Sequence, residues 1–109
     1  MEVTISGRHV DVTDAMREHA RERVERLERF SPHLMRARVT LSIEGDRHFA
    51  EVIGVVRGKA DVVAKDESHD MYGSIDHAVA KVEKQLQKLE GRMKDRREAQ
   101  REEKRTPLE

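Results

Sequence analysis

The sequence predicts an α+β domain of order β-α-β-β-β-α, in which a four-stranded sheet carries two helices on one face. Three observations lead there. At 109 residues the chain has room for one small core and not for two. Charged residues make up 40% and aromatic residues 3%, with a mean hydropathy of −0.85, so the apolar side chains must be concentrated in a few amphipathic elements for the chain to fold. Segments of alternating polarity are interleaved with two segments of helical period that each carry a single apolar stripe, and such helices cover one face of a sheet and leave the other wet.

The first strand is "EVTISGR", residues 2 to 8, where Val3 and Ile5 alternate with polar neighbours. The first helix is expected over 13 to 30: Thr13 is its N-cap, Asp14 sits at the positive end of the helix dipole, and Met16, Ala20, Val24 and Leu27 recur at helical spacing until Ser31-Pro32 stops the run. A second strand, 35 to 44, places Ala37, Val39, Leu41 and Ile43 on one face, with Arg36, Arg38, Thr40 and Ser42 on the other. Gly45-Asp46 turns the chain. Val- and Ile-rich segments then predict strands at 47 to 57 and 59 to 66, joined through Arg57-Gly58-Lys59 as a tight hairpin. The second helix is expected over 70 to 95, with Met71, Ile75, Val79, Val82, Leu86, Leu89 and Met93 as its core seam. Apolar residues run out beyond it, so residues 1–95 read as the domain and 96–109 as a charged, flexible tail.

Composition removes several classes of function. With no cysteine, disulfides and thiolate metal sites are excluded, which fits a reducing compartment. No apolar run approaches the roughly 20 residues of a membrane span, and the start of the chain lacks the pattern of a secretory signal, so a soluble cytoplasmic protein with no membrane partner is the expectation. His9, His19, His33, His48, His69 and His77 form no i,i+4 pair and no HExxH helix, so no metal is expected. Gly-rich phosphate loops are missing as well, which leaves no nucleotide cofactor and no small-molecule substrate to propose. Of the carboxylates only Glu51, in "FAEVI", lies in an apolar stretch, and it is expected on the open sheet face. An enzyme is not expected.

The net charge of zero conceals a division. Residues 1–80 hold 12 Lys/Arg and 15 Asp/Glu, whereas residues 81–105 hold 10 and 6. With about 100° per residue and Ile75 at zero, the apolar seam of the second helix falls within roughly 40°. Lys81, Lys84, Lys88 and Arg92 fall between about 180° and −100°, and Asp76, Glu83 and Glu90 between about +60° and +100°. The helix therefore has an apolar, a basic and an acidic side. Like charges at i,i+4, as in Lys84/Lys88 and Lys88/Arg92, cost a few tenths of a kcal/mol each, and a bound polyanion would offset that cost. A merely solvated charged face is the alternative. The first helix adds Arg23 and Arg26 beside its own stripe, with Arg29 beyond, so the two basic flanks can join into one groove suited to a phosphate backbone. Tyr72, about 60° from the seam, is read either as a core-edge residue or as a platform for an RNA base.

"ISGRHVDVTDAMREH", the closing "LERF" of the first helix, and "DMYGSID" followed by "KVEKQLQKLEGRMK" together resemble the ribosome hibernation-promoting factor and ribosome-associated inhibitor family, over about residues 3 to 94. The resemblance implies a fold similar to double-stranded RNA-binding domains. It also implies binding to the 30S subunit, through 16S rRNA, within 70S or 100S ribosomes, in the channel used by messenger and transfer RNA. Translation would be blocked and the idle ribosome preserved under stress or in stationary phase. By position Arg23 and Arg26 match basic places of the family's first helix, and Lys81, Lys84, Gln85, Lys88, Arg92 and Lys94 those of its second. Glu90, where relatives often carry another basic residue, and Gly73-Ser74, where two alanines are common, depart from the pattern; the second departure is expected to loosen the start of the helix. Short members end near this length, and long ones continue into a second domain that pairs ribosomes. Leu108-Glu109 is also the kind of pair that a cloning junction leaves, so both forms stay open. The alternative of another class is a protein-interaction module whose basic helix face meets an acidic protein.

Overall fold

A computed structural model describes residues 1–105, and side chains for residues 1–92. Strand β1 (Glu2–Arg8) leads into α1 (Asp14–Glu25), which tightens into a single 3₁₀ turn at Arg26–Arg29. Strands β2 (Leu34–Glu44), β3 (Arg47–Val56) and β4 (Val62–Ser68) follow, and α2 begins at Met71 and runs to Arg105. The sheet order is β1-β2-β3-β4, with β1 parallel to β2 and the other pairs antiparallel. The α+β order and the single sheet are those expected.

Local chemistry explains the boundaries. The Thr13 hydroxyl accepts from the Met16 amide at 3.1 Å and caps α1, and the Arg17 guanidinium donates to the Ile5 carbonyl at 2.8 Å, tying the helix start to β1. Gly45 and Gly58 take φ of +62° and +71°, the left-handed region that glycine enters without the penalty a Cβ brings. The connection after Gly58 differs from the tight hairpin expected. Pairing of β3 with β4 starts only at Gly54 opposite Val62 and continues to His48 opposite Ser68, so residues 57–61 form a wider loop and β4 is displaced toward its carboxy end. Helix α2 continues past the expected stop near 95 and is helical through Arg105; the side chains of Met93 and of the charged segment from 96 onward lie outside the described residues.

Both helices pack on one face. Ala20, Val24 and Leu27 from the first, and Met71, Ile75, Ala78, Val79, Val82 and Leu86 from the second, meet Ala37, Val39, Leu41, Ala50, Val52 and Ala64 of the sheet, all buried, with Leu89 at the margin. Each fully buried aliphatic side chain of this kind contributes about 1.5–3 kcal/mol, which makes the seam of α2 its dominant attachment. Tyr72 sits at the core edge, half-buried, its ring edge-on to His19 at 5.1 Å between centroids. Glu51 points to the open face, between Ala50 and Val52 that point inward. That face is not wholly polar: Val63 and Met35 are 48% and 45% exposed.

The start of α2 is pinned rather than loose. Asp70 caps it, its carboxylate accepting from the Tyr72 and Gly73 amides at 3.3 Å each. Ser74 is fully buried and donates its hydroxyl to the His48 carbonyl on β3 at 2.6 Å. An alanine in its place would remove that hydrogen bond, at a cost of about 0.5–1.5 kcal/mol. A Cβ added at Gly73 would meet nothing closer than the Ser68 hydroxyl at 3.4 Å. Thermal melting should therefore separate the two positions: Ser74→Ala is expected to lower Tm, and Gly73→Ala to raise stability by up to about 1 kcal/mol. A wild-type Tm for Ser74→Ala would remove Ser74 as an anchor.

Candidate nucleic-acid interface

The three sides of α2 acquire distinct neighbours once its seam is buried. The acidic side faces α1. The Asp76 carboxylate oxygen Oδ1 accepts from His19 Nε2 at 2.8 Å and pairs with Arg23 Nε at 3.2 Å. Near the described end of the helix, Glu90 Oε1 accepts from the Ser31 hydroxyl and from His33 Nδ1, each at 2.9 Å. Glu90, with a side chain only 19% exposed, is thus turned toward the loop before β2 and away from the basic side.

The basic side lies over β4 and solvent. Lys81 Nζ pairs with Asp66 Oδ2 at 3.2 Å, and Gln85 Nε2 donates to the Val63 carbonyl at 2.9 Å, which satisfies an acceptor of the edge strand. Lys84, Lys88 and Arg92 are exposed, and among the described residues they make no ion pair. Lys88, Arg92 and Gln85 border a shallow depression of about 450 Å³ whose opposite rim is the 59–62 loop. Lys59 stands on that rim. Sequence reasoning misses it as a site candidate because only the wider loop after Gly58 brings it beside α2. Lys94 lies outside the residues whose side chains are described.

The single groove expected from joined basic flanks does not form. Between the helices Arg23, Arg26 and Arg29 face Asp76 and Glu83, and the cations of α2 lie across the helix from them. A helical wheel ranks side chains around one axis and is silent on which flank meets the neighbour. Here the ion pairs at Asp76 and Glu90 show that it is the acidic one. Arg26 is further engaged with Glu22 at 2.8 Å, one turn away on α1.

Asp66 titrates below the usual carboxylate range. The Glu67 amide, donating to it at 2.7 Å, is the main cause, Lys81 adds to it, and burial works the other way. A lowered folded-state pKa favours the carboxylate, so the stability it brings is complete above the unfolded value and is lost as pH falls through the folded one. The carboxylate that faces Lys81 is therefore charged at neutral pH. Carboxyl chemical shifts of Asp66 followed through acid pH should give a depressed midpoint that rises only partway in Lys81→Met; a complete return would show that the lysine, and not the amide, dominates.

A four-stranded sheet with two helices on one face, and with polar groups arrayed along an outer helix surface, defines a small α+β binding domain. The chain belongs to the Sigma 54 modulation protein / S30EA ribosomal protein family, whose model matches residues 3–94. The ribosome hibernation promoting factor of Azotobacter vinelandii is 38% identical over 101 residues, covering 93% of this chain and 94% of that protein. The ribosome hibernation promotion factor of Deinococcus radiodurans is 40% identical over 101 residues and 86% of this chain, which spans 52% of that longer relative. Among solved structures, the N-terminal domain of Thermus thermophilus Protein Y superposes with a TM-score of 0.75 at 31% identity, over 82% of this chain and 99% of that one. The family resemblance read from the opening and 70–94 stretches is confirmed.

Proposed function

We propose that this protein is a cytoplasmic ribosome hibernation factor that binds the small ribosomal subunit through 16S rRNA, in the channel otherwise used by messenger and transfer RNA. Residues 1–95 are the binding unit and the charged segment 96–109 extends it. The observation that carries the reading is the row Lys84, Lys88 and Arg92 on α2, exposed and without an ion pair among the described residues, with Lys59 on the facing rim. These cations repel one another at i,i+4, and phosphates laid along them would release counterions and offset the repulsion. Arg23, Arg26, Lys81, Gln85 and Lys94 complete the proposed rRNA contacts; Lys81 enters by exchanging Asp66 for a phosphate. The relatives named ribosome hibernation factors support the same reading. Binding, with no turnover, is the activity proposed.

Sedimentation with 30S subunits tests it. The wild-type protein is expected to pellet with them and to be released by ribonuclease. Retention after the RNA is digested would favour an acidic protein partner instead. Lys84→Glu combined with Lys88→Glu should keep the wild-type melting temperature, weaken binding, and flatten the slope of log K against log salt by about 0.7–0.9 for each phosphate no longer neutralised. Wild-type binding by the double variant at every salt concentration would reduce the row to a solvated face.

A further inference from the structure

The groove between the two helices, about 360 Å³, has walls of opposite charge that close on each other at Arg23 and Asp76 and not at Arg29 and Glu83. Arg23 is taken up by Asp76 and Arg26 reaches back to Glu22. Arg29 and Glu83 both line the groove, yet neither makes an ion pair among the described residues. Phe30, Val79 and Ala80 line it between them. An occupant that matches all of this presents an anion to the arginines, a hydrogen-bond donor edge to Glu83, and a flat apolar face to the floor. A nucleotide has those three parts in that order: phosphate, base edge and base face.

The base can be narrowed by its donors. The Glu83 carboxylate offers two acceptor oxygens side by side and no donor. Guanine alone among the four RNA bases sets two adjacent donors, N1–H and the N2 amine, on its Watson–Crick edge. Adenine and cytosine each place an acceptor nitrogen beside their amine, and uracil flanks its single N–H with two carbonyls, so each would turn a lone pair toward the carboxylate. Single-stranded RNA is the form in which such an edge is free, because unpaired bases can be splayed out and read on that edge.

We propose that the α1–α2 groove takes one unstacked guanine of rRNA, with Glu83 accepting from its N1–H and N2 amine, the base against Phe30, Val79 and Ala80, and Arg26 and Arg29 at its phosphate. This rests on the ribosome-binding reading and deepens it: the outer row of α2 grips backbone without regard to sequence, whereas the groove selects a base. The acidic wall, which a phosphate surface alone would not want, then has a purpose.

Kethoxal, which modifies guanine at N1 and N2, tests this on intact 30S subunits. Bound wild-type protein should protect a guanine that regains reactivity when the subunits are saturated with Glu83→Gln, whose amide replaces one of the two acceptors with a donor. Its affinity should drop by about tenfold, in line with the loss of one bidentate base pairing. The Lys84→Glu/Lys88→Glu variant, brought to saturation, should still protect the same guanine, since its defect lies across the helix. Sedimentation of the wild type with 30S but with no guanine protected, or with protection that persists in saturating Glu83→Gln, overturns the guanine site and leaves ribosome binding standing. The first of those outcomes is also the one expected if a lysine-bearing protein segment fills the groove. Failure of the wild type to sediment with 30S at all overturns both.

Discussion

The orientation of α2 about its own axis is the constraint on which the rest of the surface depends. Met71, Ile75, Val82 and Leu86 are each at most 1% exposed, and a rotation of one residue's worth, about 100°, would drive lysines or carboxylates into the core. Ion pairs between partly exposed groups add at most about 1 kcal/mol each, so those at Asp76 and Glu90 refine a rotation that apolar burial imposes. With the seam inward and the acidic flank toward α1, the cations have only β4 and solvent left to face.

That arrangement distributes charge unevenly on a chain with no net charge. Asp66 neutralises Lys81, Gln85 is engaged at the edge of β4, and the positive potential is left to Lys84, Lys88 and Arg92 together with Lys59 from a loop. Local potentials, and not the mean charge, govern approach to a polyanion. The sheet thereby acts on the interface as well as beneath it, since β4 trims the basic row and the loop that leads into it completes that row. Its other edge does comparable work: β1 fixes α1 through Arg17 and the Ile5 carbonyl, and α1 with the 3₁₀ turn that follows it supplies the arginine wall of the groove.

Two polar residues of α2 take on a physical meaning here. Ser74, buried at the start of α2, finds the His48 carbonyl, so a buried polar group becomes a tether between helix and sheet. Glu90 lies on the acidic side of α2, turned toward Ser31 and His33. It closes the far end of the helix pair, while Asp76 closes the near end. Between those two clasps the helices stand apart over Glu83, and the groove opens there.

The order of elements, the single core and the seam of α2 were legible in the sequence because they follow from local periodicity: a stripe from Met71 to Leu86 has only one way to be buried. Thr13 as a cap was legible for the same reason, its partner being three residues away. The division of α2 into three sides was also present in the sequence. What the tertiary structure alone decided was the company each side keeps. The direction in which the helices cross the sheet put carboxylates and not lysines between them, the displaced register of β4 opened the loop that carries Lys59 to α2, and Asp66 on β4 reached Lys81 on a separate element. None of these is encoded in a window of neighbouring residues, because each depends on the relative placement of two elements, which is fixed only when both have buried their apolar faces against the same sheet.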